Sequence, residues 1–165
     1  MLNKMKIALA GSIAAAAMIS SGAQAATETV GADAEIIPAV TLGTPSDIDF
    51  GTIASDATGG TAVVAASSGA TTSCAALTCL GASNPGSIVI TASSGQTVDV
   101  SFAVAGPVTL TSAASDTMSM TPSLSTSSFT STGSDTLYVG GTLTVAANQA
   151  AGTYSGTFDV DVDYQ

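Results

Sequence analysis

Apolar and polar residues alternate along several stretches of the chain, a pattern typical of half-buried β-strands. The clearest stretches place their apolar residues at Val98, Val100, Phe102 and Val104, at Leu137, Val139, Leu143 and Val145, and at Phe158, Val160, Val162 and Tyr164. Shorter strands are predicted at residues 36–42, 48–53, 61–66, 87–91, 108–111 and 117–120. Turn-forming residues separate the strands, and a Ser/Thr-rich loop is predicted at residues 123–134, after a break at Pro122. The pattern as a whole predicts an antiparallel β-sandwich.

The start of the chain has the features of a secretory signal peptide. Lys4 and Lys6 precede an apolar run at residues 7–19, which a small-residue cleavage pattern follows. The run is too short for a comfortable bilayer crossing, and no cysteine follows the cleavage point to carry a lipid anchor. We therefore expect a cleaved signal peptide over residues 1–25 and a single exported domain, without a membrane anchor, over residues 26–165.

Charge excludes several classes of function for the exported part. The sequence has 12 acidic residues, no histidine and only two basic residues, which are Lys4 and Lys6. Loss of those two residues changes the formal net charge from −10 to −12. Without cations the domain is not expected to bind nucleic acid or anionic lipid. Without histidine or lysine it has no hydroxyl–imidazole triad and no Schiff-base residue, so we expect neither an enzyme nor a cofactor.

Two cysteines, Cys74 and Cys79, lie close together in the sequence. An even number of cysteines in an exported chain favours a disulfide bond, which would close a short loop. A redox-active pair is the alternative, but the spacing is not Cys-x-x-Cys and no basic group is present to lower a thiol pKa. The two residues are predicted to form a structural disulfide.

The C-terminal segment alternates up to a penultimate tyrosine, Tyr164, and has a glycine, Gly152, fourteenth from the end. In these features it resembles the C-terminal segment of chaperone–usher pilus subunits. Two longer motifs lie at residues 47–53 (DIDFGTI) and 140–156 (GGTLTVAANQAAGTYSG). Through these motifs the mature chain as a whole resembles a family of secreted bacterial domains, domain of unknown function 4402. This resemblance implies an immunoglobulin-like sandwich of the pilin type, similar to spore-coat-U-type fibre subunits, but it brings no established biochemical role.

The pilin resemblance implies a structural subunit of a fimbria-like fibre, with a role in cell adhesion. Such a sandwich lacks one strand, which a periplasmic chaperone supplies first and the next subunit supplies later, with an usher at the membrane. The implied donor is residues 26–36, with Val30, Ala32, Ala34 and Ile36 on the donated face. The implied accepting and chaperone-bound segment is Gly152, Phe158, Val160, Val162 and Tyr164.

Two features depart from the pilin pattern. The disulfide of pilins ties two early strands, whereas Cys74 and Cys79 lie in mid-chain, and the N-terminal extension is short. The alternative is a self-contained sandwich in which residues 26–36 are simply the first strand. Such a domain would act as a secreted or cell-surface binding module.

Aspartates alternate with the apolar residues of the last strand. Asp159, Asp161 and Asp163, together with Asp47 and Asp49, form a weak candidate calcium site, because Ca²⁺ prefers clustered carboxylate oxygens. No known calcium-loop spacing is present, so we predict a solvated face and no metal. A glycosidase pair is not expected either, since the chain has no tryptophan and no supported acid–base pair.

Overall fold

The computed structural model describes residues 25–165, and the predicted signal peptide lies outside them except for Ala25. Within the described residues the protein consists of β-strands and contains no helix, in agreement with the predicted all-β class. No helix in that part of the chain is long and apolar enough to cross a membrane. Residues 36–165 form one compact unit. Residues 25–35 belong to a separate unit, and they are exposed and carry no strand.

Thirteen strands make up the described domain, in the order β1 (Thr41–Leu42), β2 (Thr52–Ala54), β3 (Gly60–Val64), β4 (Ser73–Ala75), β5 (Thr78–Leu80), β6 (Gly86–Thr91), β7 (Thr97–Phe102), β8 (Val108–Ser112), β9 (Thr117–Leu124), β10 (Ser128–Thr130), β11 (Ser134–Val145), β12 (Tyr154–Ser155) and β13 (Val160–Tyr164). The main sheet has the order β1-β6-β11-β9-β8-β12, with β3 paired to β11 and β4 paired to β3. A second sheet has the order β10-β7-β13, and β2 pairs with β5. All strand pairs are antiparallel.

The long strand β11 organises the main sheet because it changes partners along its length. Its first part pairs with β6 and its last part pairs with β3 on the same side, while β9 pairs on the other side. The change occurs at Gly140, where an added Cβ would overlap the carbonyl oxygen of Val64 and the amide nitrogen of Ala66. A glycine is therefore required for β3 and the chain after it to approach β11.

Four residues of β11 face the core, as the alternation predicted, and they contribute to two clusters: Leu137, Val139, Leu143 and Val145. The first cluster lies between the two sheets and contains Ile90, Ala92, Val98, Val100, Leu137 and Val139. The second lies under the last part of β11 and contains Ala62, Leu110, Met120, Leu143 and Val145. We call the region of the first cluster the closed half, because β7, β10 and β13 cover it, and the region of the second the open half.

The disulfide between Cys74 and Cys79 is present, with the two Cα atoms 6.1 Å apart. Cys74 lies on β4, opposite Ala62 of β3, and Cys79 lies on β5, opposite Ile53 of β2. The bond therefore ties the small β2–β5 sheet to the main sheet, beside the open half.

The loop predicted at residues 123–134 is wrong, because β9 continues to Leu124 and β10 follows at Ser128–Thr130. Pro122 does not break β9. The hydrogen bond from Ser125 N–H to the Tyr138 carbonyl sets the ladder alternation, and it places Pro122 opposite Gly141 in a non-hydrogen-bonded pair. The missing N–H therefore points away from β11, to the side where β8 has already ended. A proline is tolerated there because it removes no ladder bond.

The strand predicted at residues 36–42 is also shorter in the structure. Only Thr41 and Leu42 pair, with Thr91 and Ile90 of β6. The strand predicted at residues 48–53 is reduced to a single bridge at Asp49 and the strand β2. In both regions the alternation comes from apolar side chains that pack on the core without a continuous backbone ladder.

Candidate functional site

An open groove of about 1370 Å³ runs over the open half. One wall is the segment 42–55 and the other is the segment 149–160. Its floor consists of inward side chains of the main sheet: Ile88, Leu110, Met118, Met120, Val139, Leu143 and Val145. An apolar floor between two backbone walls is the form that β-strand addition requires.

The floor is shielded by the main sheet and the walls, although no strand formed by residues 25–165 lies over it. Met120 is 3% exposed, Leu143 4% and Val145 5%. These residues are inward-facing on β9 and β11, which pair in the central part of the sheet. The floor therefore consists of apolar side chains that are closely packed within the main sheet.

The first wall follows β6 as an irregular edge of the main sheet. Gly43 N–H donates to the Val89 carbonyl at 2.8 Å, and the backbones of Ser46 and Ser87 bond in both directions. Further on, the Thr72 hydroxyl donates to the Phe50 carbonyl at 3.0 Å. These bonds hold the wall at its sheet side and leave the apolar faces of Ile48, Phe50 and Ile53 on the groove.

At Gly51 the first wall turns in a way that requires glycine. Its φ is +72°, and an added Cβ would lie 2.8 Å from the Ala82 carbonyl oxygen. The turn leads directly into β2, which pairs with β5 and is thus tied to the disulfide. Both the backbone conformation and the disulfide therefore determine where this wall lies.

The second wall crosses from one sheet to the other. Tyr154 and Ser155 pair with β8 in the main sheet, whereas Val160 begins β13 in the second sheet. Between them Gly156 approaches β8 so closely that a Cβ would lie 2.8 Å from the Thr109 carbonyl oxygen. Phe158 then packs edge-to-face on Phe102, with the ring centroids 5.7 Å apart.

The end of the second wall near β12 is held by a small hydrogen-bonded group. The Tyr154 hydroxyl donates to the Ala150 carbonyl and accepts from Gln149 Nε2, both at 2.8 Å. The same Nε2 group donates to the Thr117 carbonyl at 3.1 Å. The turn before β12 is thereby fixed to β9, and the ring of Tyr154 lies along the groove.

Strand β13 has an unpaired edge, and its first residue, Val160, lines the groove. Ala103 N–H donates to the Asp159 carbonyl and Gln165 N–H donates to the Thr97 carbonyl, so the odd-numbered residues bond to β7. Because the bonding direction alternates in an antiparallel ladder, the backbone groups of Val160 and Val162 point away from β7. Within residues 25–165, β7 is the one strand that pairs with β13. These groups are free to bond to an added strand.

The residues predicted for the accepting strand have the predicted orientation. Phe158, Val160, Val162 and Tyr164 are half-buried and pack against the first core cluster. The Tyr164 hydroxyl accepts from Ser93 N–H at 2.8 Å and donates to the Pro38 carbonyl at 3.0 Å. Gly152 is exposed and has only ordinary contacts, the nearest to an added Cβ being Ser112 Cβ at 3.5 Å, so no close approach requires a glycine there.

The residues predicted for the donated face are exposed. Val30 is 89% exposed and Ile36 94%, and Ala32 and Ala34 are exposed as well. No strand includes residues 25–40. Their role as a donor stays a prediction, and so does the alternative in which they are the first strand of a complete sandwich.

The aspartates lie on the solvent side of the walls. Asp159, which directly precedes β13, is exposed, as are Asp161 and Asp163 on the outer face of β13, and Asp163 lies opposite Asp99 of β7. Asp47 and Asp49 lie on the first wall, where Asp49 Oδ1 accepts from Gly51 N–H at 2.8 Å. Among residues 25–165 no group of three or more potential ligand residues is arranged to hold a metal ion. The weak calcium candidate thus has no geometric support.

Sequence reasoning implied an accepting groove beside the last strand, but it did not identify the residues of the walls and floor, although a signal for them was present. The two motifs that carried the family resemblance, residues 47–53 and 140–156, contribute to both walls of the groove, and the second also contributes its floor residues Leu143 and Val145. Two separated motifs that both border a sheet opening would have indicated a shared site. What was missing was the pairing of the strands between them.

Comparison with known proteins identifies a family but no characterised relative. A family model described as "Domain of unknown function (DUF4402)" matches residues 39–164, which is most of the chain. None of the curated proteins compared with the chain matches it. The matched range covers the groove, both walls and all thirteen strands.

Proposed function

We propose that this chain, which belongs to the DUF4402 family, is a structural subunit that takes up an extended strand from another polypeptide and so joins a fimbria-like extracellular fibre. The observation that carries the proposal is the apolar groove beside the unpaired edge of β13. An unpaired strand edge promotes association with another chain, and the groove beside it is lined by apolar side chains. A subunit that is completed by a partner strand puts both features to use.

The groove offers what strand addition needs. The free N–H and C=O groups of Val160 and Val162 supply backbone hydrogen bonds, which give affinity. The apolar floor around Leu110, Met120 and Leu143 receives every second side chain of the added strand, which gives specificity. The added strand would extend the β10-β7-β13 sheet over the open half.

The chain itself contains a segment with the required alternation. Val30, Ala32, Ala34 and Ile36 form one face of residues 26–36, and polar or small residues form the other. Donation of this segment to the groove of a second copy is a head-to-tail contact, which generates an open filament and not a closed ring. A periplasmic chaperone would occupy the groove before assembly at an usher, after export by the signal peptide.

One observation favours the second candidate, a self-contained binding module at the cell surface. The floor of the groove is already shielded, since Met120, Leu143 and Val145 are 3–5% exposed without any added strand. A domain with so little exposed core surface could stay folded alone and bind a separate ligand in the groove. The two candidates differ in whether the chain associates with its own kind.

Size-exclusion chromatography with light scattering on residues 25–165 separates the two candidates. A strand-accepting subunit should form head-to-tail multimers, and Val30→Asp should reduce them because the donated face then carries a buried charge. The matched control, Thr29→Asp, places the same charge on the opposite face of the segment and should preserve the multimers. A synthetic peptide of residues 26–36 should bind the Val30→Asp chain and raise its melting temperature by mass action.

A monomer at all concentrations that is unaffected by the peptide would contradict the fibre-subunit proposal and leave the binding module. Multimers that form equally well in the Val30→Asp and Thr29→Asp chains would show that association does not use this segment.

A further inference from the structure

We infer, on the basis of the proposed function, that the groove prefers a strand of alternating apolar and basic residues from a different protein over the chain's own residues 26–36. The inference rests on one observation: both walls of the apolar groove carry carboxylates. Asp47 and Asp49 line one wall and Asp159 lines the other, and all three are exposed. The sequence from residue 25 onward contains no Lys, Arg or His to balance them.

The register of β13 determines which side chains of an added strand meet these carboxylates. Asp159, Asp161 and Asp163 occupy the outer face of the segment, while Val160 and Val162 face inward. A strand paired with the free edge of β13 places its own outward side chains beside the aspartates, with directly opposite Cβ atoms about 5 Å apart. The outward positions of the occupant therefore decide the electrostatic fit.

The inward face of residues 26–36 matches the apolar floor, but the outward face does not match the negative charge beside β13. The outward residues are Thr29, Gly31, Asp33 and Glu35, so two acidic residues approach an acidic strand. Like charges that lie directly opposite one another across a ladder destabilise the pairing, whereas opposite charges stabilise it. The same groove would therefore take up a strand with basic residues at the outward positions more strongly at neutral pH and low salt.

The charge pattern thus predicts which of two strands binds more tightly in the groove, a basic strand from a partner protein or residues 26–36. A partner protein that presents a basic alternating strand holds the subunit in its completed form, and the subunit's own segment is the weaker occupant. Since several cross-strand pairs change sign together, we expect affinities that differ by about tenfold or more at low ionic strength. The difference should shrink as salt screens these exposed charges.

Three peptides with the sequence of residues 26–36 test this order. The first is unchanged, the second carries Asp33→Asn and Glu35→Gln, and the third carries Asp33→Lys and Glu35→Lys. Their dissociation constants are measured by fluorescence anisotropy with the Val30→Asp chain of residues 25–165, at low and at high ionic strength. At low ionic strength affinity should rise from the first peptide to the third, and at high ionic strength the three should converge.

A strongly acidic domain attracts any cationic peptide, so two controls localise the effect. A fourth peptide adds Val30→Asp and Ala34→Asp to the third and should lose binding, because its inward face no longer fits the floor. In the domain, Asp161→Asn should weaken the third peptide more than Asp99→Asn does. Both residues are exposed on the same sheet face, but Asp99 lies on β7, one strand further from the free edge.

The outcomes separate the inference from the proposed function. Equal affinity of all three peptides at low ionic strength overturns the inference, while the groove still accepts strands. Binding of the fourth peptide as tight as that of the third also overturns it, because surface attraction then explains the order. If no peptide binds at either ionic strength, the strand-accepting function fails and the inference fails with it.

Discussion

The closed half and the open half of the sandwich contain the same kind of strand with different surroundings. Leu137 and Leu143 both project inward from β11, and both are nearly fully buried, at 2% and 4% exposure. Leu137 faces a second sheet, β10-β7-β13, whereas Leu143 faces the groove and its irregular walls. Alternation along a strand therefore predicts that a face is apolar, but not what covers that face.

The comparison also locates function. In the closed half, β7 and its neighbours cover the apolar side chains of the main sheet, so their contacts are satisfied within the domain. In the open half, the apolar floor lies next to the Val160 end of the free edge of β13, and no strand of residues 25–165 lies between them. Binding is expected where a rigid scaffold leaves such groups available, and the groove is that place.

The largest expected effect comes from shortening one core leucine in each half. Leu137→Ala should lower the free energy of unfolding by about 3 to 4 kcal/mol, because it leaves a closed cavity between two sheets. Leu143→Ala should cost less, about 2 kcal/mol, since the space it leaves merges with the groove. Urea unfolding of both variants measures the difference. Equal losses would contradict the division into a closed and an open half.

The next effect concerns the position where β11 changes partners. Gly140→Ala should cost about 2 to 3 kcal/mol, because its Cβ would overlap the backbone of Val64 and Ala66. Gly141→Ala is the matched control, because its added Cβ would lie 3.2 Å from its nearest neighbour, the Thr121 carbonyl oxygen. This substitution should cost about 1 kcal/mol or less. Thermal unfolding compares the two. If Gly141→Ala were the more damaging, β11 would not join the halves as described.

Removal of the disulfide should affect the open half selectively. The Cys74→Ser/Cys79→Ser double variant should lose about 2 kcal/mol, the loop-closure contribution of so short a loop. Because the bond ties β2 and the first wall to the main sheet, hydrogen exchange should accelerate at residues 52–54 and much less in β7. Uniform acceleration over the whole domain would indicate that the disulfide supports both halves equally.

The smallest expected effect is a pH dependence of the free energy of unfolding. It arises at two turns, one in each half, whose residues donate hydrogen bonds to an aspartate. Hydrogen bonds from Thr132 and Ser131 hold the pKa of Asp135 below its ordinary value of 3.8, although burial opposes them. Hydrogen bonds from Thr58, first its N–H and then its hydroxyl, and from Gly59 likewise lower the pKa of Asp56.

A carboxyl group whose pKa is lower in the folded state stabilises the fold at pH values above its unfolded-state pKa. This stabilisation is lost as the pH falls through the folded-state pKa. The free energy of unfolding should therefore decline as pH drops below about 4. Asp135→Asn and Asp56→Asn should each remove part of that decline, as urea unfolding at several pH values would measure. A decline of unchanged size in both variants would show that other carboxylates cause it.

Much of the fold could be predicted from local pattern. The faces of β7, β11 and β13 agree with the alternation of their sequences, and the structural disulfide between Cys74 and Cys79 is confirmed. Residues 123–134 were predicted as a loop because Ser and Thr carry little hydrophobic signal, yet β9 and β10 extend into them. Their strands form through pairing with β11 and β7, which are distant in the sequence.

The candidate site could be predicted only in part. The orientation of Val160, Val162 and the intervening aspartates followed from the alternation of the last strand. The wall residues Phe50, Ile53 and Tyr154 did not, because they belong to short or irregular segments whose positions depend on distant partners.

What the sequence determined by itself is the class of the protein and the sign of its charge. Residue identity and spacing determine an all-β domain, the apolar and polar faces of its strands and a short disulfide loop. They also determine that residues 25–165 contain no cationic side chain. The tertiary structure decided which apolar face is covered and which lies open, because that depends on how many strands each sheet receives. Local periodicity reports that a face is buried, whereas only the pairing of distant strands determines what buries it.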